Sequence, residues 1–180
     1  MTPQLKALPW LAVLLLGSVT GATAADDPCA SFKWNVTQER ALFTKAPERV
    51  AAGHDAPSAP TVKVATLYEL SLSPQDGVKF ALPPGKRGLP DGAFAGLVHF
   101  KVPATGAYRV SLDQAFWIDV VGDNKLVAST DFGGSQGCNA PHKIVQYTLP
   151  AGEDLVLQLS GSTQERVRVT VTPVPAAPAH

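Results

Sequence analysis

From residue 61 onward, hydrophobic and polar positions alternate along most of the chain. In Thr61–Leu72, TVKVATLYELSL, the apolar residues Val62, Val64, Tyr68, Leu70 and Leu72 share one parity, while Lys63, Glu69 and Ser71 hold the other. A period of two sends the two sets to opposite faces of an extended chain. The segment therefore predicts one strand, or two with a bend. Residues 78–82, VKFAL, alternate likewise. Residues 94–102 set Phe94, Val98, Phe100 and Val102 against His99 and Lys101, and 107–112 set Tyr108, Val110 and Leu112 against Arg109 and Ser111. Further strands are predicted over 116–121, about 125–129, 143–149, 154–160 and 166–172. In the last of these Val167, Val169 and Val171 alternate with Arg166, Arg168 and Thr170.

Turn chemistry separates the strands: PPGKRGLPDG at 83–92, PATG at 103–106, GDNK at 122–125, PAG at 150–152, and Gly161. Proline and glycine set dihedrals that a strand interior does not use. About nine short strands with a turn every 8–12 residues predict an all-β fold, an antiparallel β-sandwich of jelly-roll type. Upstream the pattern differs. Asn35 or Thr37 can cap a short N-terminal helix over about 36–45, with Glu39 in its first turn, Pro47 closing it, and Leu42 and Phe43 facing the main body. Residues 46–60, with three prolines and Gly53, read as a loop or linker, and 131–142 read as a Gly-rich loop. The resulting partition is 1–24, 25–60 (helix and Pro-rich segment), 61–173 (sandwich) and a Pro/Ala-rich tail, 174–180.

Residues 1–24 have the form of a signal peptide. Lys6 precedes the apolar run WLAVLLL at 10–16, which is too short to anchor in a bilayer, and Ala22-Thr23-Ala24 gives an A-x-A cleavage site. The expectation is export to the periplasm or secretion, with no membrane span after cleavage. The whole chain carries 15 basic and 15 acidic side chains, with no basic run. That balance argues against a nucleic-acid partner and against an anionic membrane surface.

Export also decides how the two cysteines are read. SQGCNAPHK (135–143) places Cys138 four residues before His142. A zinc site needs about four ligands and this pair offers two. A nucleophilic thiol needs a free cysteine and an orienting group for its histidine. In an oxidising compartment an even cysteine count most simply gives one bridge, Cys29–Cys138. Closing a loop of about 100 residues is worth roughly 4–5 kcal/mol in the chain-entropy account.

Candidate chemistry is sparse. His54, His99 and His142 lack the local spacing of a metal-ligand pair and would form a site only by long-range convergence. FGGSQG (132–137) lacks both the phosphate-loop lysine and the G-x-S-x-G elbow. In FWIDVV (116–121), inward-facing Phe116, Ile118 and Val120 would put Trp117 and Asp119 together on the outer face. There an indole can stack a sugar or flat ligand while the carboxylate accepts hydrogen bonds. The opposite register buries Trp117 and pairs Asp119 with a turn amide, Lys143 or an arginine. Trp117, Asp119, His142 and Lys143 are the ligand-binding candidates. Lys86 and Arg87 either bind an anion or form a solvated loop tip. No catalytic residue and no cofactor is expected.

Three stretches, CASFKWNVTQERALF, YRVSLDQAFWIDVV and GCNAPHKIVQYTLPAGEDLVLQLSG, resemble a family of small exported proteobacterial proteins. The carriers are Cys29, Trp34, Glu39-Arg40-Ala41-Leu42, Trp117 to Val120, Cys138, Lys143 and Ala151-Gly152. Some members of that family carry the name homogentisate 1,2-dioxygenase, which implies a metal-dependent oxygenase with an iron site of His/Glu type. More loosely, F-x-V-P-A-x-G-x-Y-x-V-x-L (100–112) with the later Leu149-Pro-Ala-Gly152 is similar to pre-peptidase C-terminal domains and carbohydrate-binding jelly rolls. That resemblance implies a β-sandwich and no particular ligand. Three functions follow as expectations. The first is an exported, non-enzymatic β-sandwich binding a glycan or an envelope protein. The second is a metal-dependent enzyme using histidines with Asp119 or Asp131. The third is a structural component of an envelope assembly.

Overall fold

The alternating faces meet across two stacked sheets. The computed structural model describes residues 27–175. The expected signal peptide and most of the expected tail lie outside the described residues. The strands are β1 (Glu48–Ala51), β2 (Thr61–Val62), β3 (Tyr68–Ser71), β4 (Ser73–Pro74), β5 (Phe94–Phe100), β6 (Gly106–Leu112), β7 (Trp117–Gly122), β8 (Lys125–Leu126), β9 (Ser129–Gly134), β10 (Lys143–Leu149), β11 (Leu155–Ser162) and β12 (Arg166–Pro173). One sheet runs β1-β3-β12-β6-β10-β9; the other runs β2-β5-β11-β7-β8, with β4 also on β5.

The predicted inward residues form the core. Leu70, Val110, Leu112, Val145, Leu149, Val167, Val169 and Val171 face Val98, Phe100, Ile118, Val120, Leu155, Leu157 and Leu159, all buried. Each such side chain removed from water contributes about 1.5–3 kcal/mol, which makes this layer the main source of stability. The β-sandwich is therefore present, but it is not purely antiparallel. β1 pairs with β3, and β2 with β5, in parallel. The reason is connectivity. Between β1 and β3 the chain crosses to the other sheet as β2, and a strand reached by crossover can run parallel, whereas one reached by a tight hairpin cannot.

Two local expectations are corrected, and a third, open between one strand and two, resolves to two. Residues 46–60 are not all loop, because Glu48–Ala51 adds an edge strand to the first sheet. The stretch 61–72 is two strands in different sheets, broken near Ala65, whose φ is 55°. Residues 78–82 form no strand; Val78, Phe80, Ala81 and Leu82 lie on the outer face of the second sheet, over Ala95, Leu97, Val121 and Val156. Gln158 holds this cover in place, donating from Nε2 to Leu82 O at 3.0 Å and accepting from Leu82 N–H at 3.5 Å.

The outer face of the first sheet is covered from the N-terminus. Helix α1 (Thr37–Phe43) buries Glu39, Leu42 and Phe43, and Asn35 Oδ1 accepts the Thr37 N–H at 2.9 Å. Glu39, 1% exposed, accepts from Arg109 Nη1 at 3.3 Å and from Thr172 Oγ1 at 3.1 Å. Cys29 and Cys138 form the expected disulfide, 109 residues apart in sequence, which staples the start of this segment to the loop after β9. Such a bond fits an oxidising compartment. Among the described residues no helix is long and apolar enough to cross a membrane.

A candidate ligand cleft between the sheets

β7 and β10 belong to different sheets and meet at one edge of the sandwich. β8, the neighbour of β7, has only two residues, so most of the outer edge of β7 has no strand beside it. Side chains of β10 take the place of that strand. Lys143 Nζ donates to Phe116 O at 2.7 Å, and Tyr147 Oη donates to Ile118 O at 3.0 Å. These bonds satisfy backbone acceptors that would be costly to leave unpaired, and they tie one sheet to the other.

Between them opens a cleft of about 260 Å³. Its buried lining is Ile118, Val145 and Tyr147; Trp117, Val127 and Lys143 are half-buried around it. Phe132 also lines it and is 70% exposed, which is unusual for a large apolar side chain. Leu126, the other exposed large apolar side chain among the described residues, lies on β8 beside Val127.

The polar groups are held tightly. Asp119, 8% exposed, accepts from Trp117 Nε1 at 3.0 Å and from the Gly85 N–H at 3.1 Å. A Cβ at Gly85 would lie 3.0 Å from Asp119 Oδ1 and press on that carboxylate. Lys143 Nζ sits 5.5 Å from the centroid of the Trp117 ring, within cation–π range. Burial holds the Lys143 ammonium below the usual lysine range; the charge of Lys86 adds to that, and Asp119 partly opposes it. Burial, followed by the nearby Asp119 charge, pushes the Tyr147 hydroxyl well above its ordinary value, so it remains a donor.

Three of the four sequence candidates, Trp117, Asp119 and Lys143, thus come together. Both sequence registers contribute to the outcome. Ile118 and Val120 face the core, so Trp117 and Asp119 point outward as in the first register, yet Asp119 is buried against a turn amide as in the second. His142 precedes Lys143 but is not part of the cleft lining; its backbone bonds to Leu112 O and to the Ser135 N–H. Phe132 and Tyr147 escaped the sequence reading. Phe132 is a lone aromatic in a glycine-rich run, and Gly133 next to it lies under Trp34, where a Cβ would stand 3.0 Å from Cζ3. The first third of the expected Gly-rich loop, residues 131–134, belongs to the edge strand β9. Tyr147 has the parity of a core residue, and its hydroxyl's partner is not readable from sequence.

The histidines do not converge. His54 has Ser58 Oγ at 3.4 Å and Asp55 Oδ2 at 3.6 Å. His99 Nε2 is 2.9 Å from Ala56 O. Its Nδ1 lies 3.2 Å from Asp154 Oδ2, within ion-pair reach but without hydrogen-bond alignment. Among the described residues no three His, Cys, Asp or Glu side chains form a metal-holding group. The described residues therefore do not assemble the donor set that the iron-oxygenase name implies. A second groove, of about 320 Å³, is lined by Glu69, Asp113 and Arg168, which are ion-paired (Arg168 Nε to Asp113 Oδ2 at 2.7 Å, Arg49 Nε to Glu69 Oε1 at 3.2 Å), and by Glu165 and Arg166. In comparisons with known proteins, no family model matches this chain and no curated protein is significantly similar to it.

Proposed function

We propose that the chain is an exported, non-enzymatic binding protein whose ligand enters the β7–β10 cleft. The observation that carries this reading is the convergence of Trp117, Asp119 and Lys143, drawn from two sheets, around an apolar hollow with Phe132 exposed at it. Large apolar surface is normally buried, and aromatic side chains left exposed around a concavity mark recognition sites. The disulfide and the signal-like N-terminus support an extracytoplasmic location.

At about 260 Å³ the cleft is slightly smaller than most ligand pockets, which run from about 300 Å³ upward. It suits a ring-sized group, either one residue of a glycan or one group of a partner. The test is Trp117 emission in a Trp34→Phe background, screened against cell-envelope glycans and small organic acids. The expected result is a saturable spectral shift that Phe132→Ala weakens. A flat response to every compound would contradict the proposal.

A further inference from the structure

The charges around the cleft are unequal. The Asp119 carboxylate already accepts two N–H donors and is nearly inaccessible. Lys143 spends one of its three donor hydrogens on Phe116 O. Among the described residues, neither Lys143 nor Lys86 is in an ion pair. Lys86 follows Gly85, whose N–H is bonded to Asp119, so the backbone of this second, exposed lysine passes beside that carboxylate. It is close enough for its charge to act on Lys143. Two ammonium groups beside one carboxylate leave a single positive charge uncompensated, next to apolar walls.

We infer that the cleft takes a small amphipathic carboxylate, with an apolar body against Ile118, Val145, Trp117 and Phe132 and a head group meeting the ammonium groups of Lys143 and Lys86. This rests on the cleft being the binding site. A monoanion balances the uncompensated charge, whereas a dianionic phosphate overshoots it. No arginine lines the cleft to offer the planar fork that phosphates favour. A neutral sugar fits less well, because its hydroxyls need acceptors, and Asp119, the carboxylate in the lining, already accepts two N–H bonds and is almost shut off from the cleft. This picks up the anion-binding reading of Lys86 in the 83–92 turn.

The test is calorimetric titration of the purified, oxidised protein with phenylpropionate and octanoate, each paired with its neutral amide, and with N-acetylglucosamine. At least one acid is expected to bind roughly tenfold tighter than its amide, the effect of a charge-assisted contact. The preference should shrink as salt rises. It should be lost in Lys143→Met and reduced in Lys86→Met, which alters only an exposed loop residue and leaves folding intact. Equal binding of acid and amide, or tighter binding of the sugar, overturns the anion assignment and leaves the binding role standing. An undiminished preference in both lysine variants overturns it too, by placing the anion elsewhere. No heat from any ligand, together with unchanged Trp117 emission, overturns both.

Discussion

Lys143 ties one sheet to the other and also lines the candidate cleft. Its ammonium bonds to Phe116 O and faces the Trp117 ring, while burial disfavours its charge. A lysine whose folded pKa is lowered costs stability wherever it stays protonated. Between that lowered value and the ordinary one, the unfolded chain binds more protons, so stability rises with pH in that window. The stability of the wild type relative to Lys143→Met should therefore improve from neutral to alkaline pH, as read by urea unfolding across pH. Asp119 makes a sharper case. Both its oxygens accept from N–H donors, so in Asp119→Asn the new NH₂ must face one of them. We expect a loss of about 1–3 kcal/mol, measured by chemical denaturation, together with altered Trp117 emission.

At the scale of elements, the N-terminal cover depends on a few strong ties. Glu39 and Arg109 are an almost fully buried ion pair beneath α1, and Arg109 also donates to Asn35 O at 3.0 Å. Arg109→Met strands the carboxylate and should cost about 3–5 kcal/mol, while adding Glu39→Leu should recover part of that loss. A double-mutant cycle in urea measures both. Replacing Cys29 and Cys138 by serine should cost about 2–5 kcal/mol in the same assay. Elements also show what was legible in the sequence. β5, β6, β10 and β12 run seven or eight residues, long enough for period two to declare itself. β1, read as loop, has four residues, too few to carry a pattern, whereas β2 and β8 fall inside longer expected strands of which only two residues each pair. The alternation in 78–82 is real, but it serves to cover the outer face over Leu97 and Val156 and builds no ladder. In the cleft, Trp117 and Asp119 were legible because they share one strand. Lys143 was named as a candidate without its geometry. Phe132 and Tyr147 needed the juxtaposition of β7, β9 and β10, which strand order alone does not reveal.

At the scale of the whole molecule, the sandwich opens the candidate cleft where the sheets part. Two apolar layers, one between the sheets and one under the 78–82 cover, hold β7 from both sides. Its remaining edge is met by Lys143 and Tyr147, so the cleft walls are fixed before any ligand arrives. Preorganisation of this kind lowers the ordering cost of binding. The most direct test of the account is an amide and indole N–H shift map of the ¹⁵N-labelled protein titrated with phenylpropionate and octanoate. The account predicts that the Trp117 indole resonance and the amides of Ser129, Phe132 and Lys143 move together and saturate together. Shifts confined to the polar groove around Asp113 and Arg168, or no shifts at all, would contradict it.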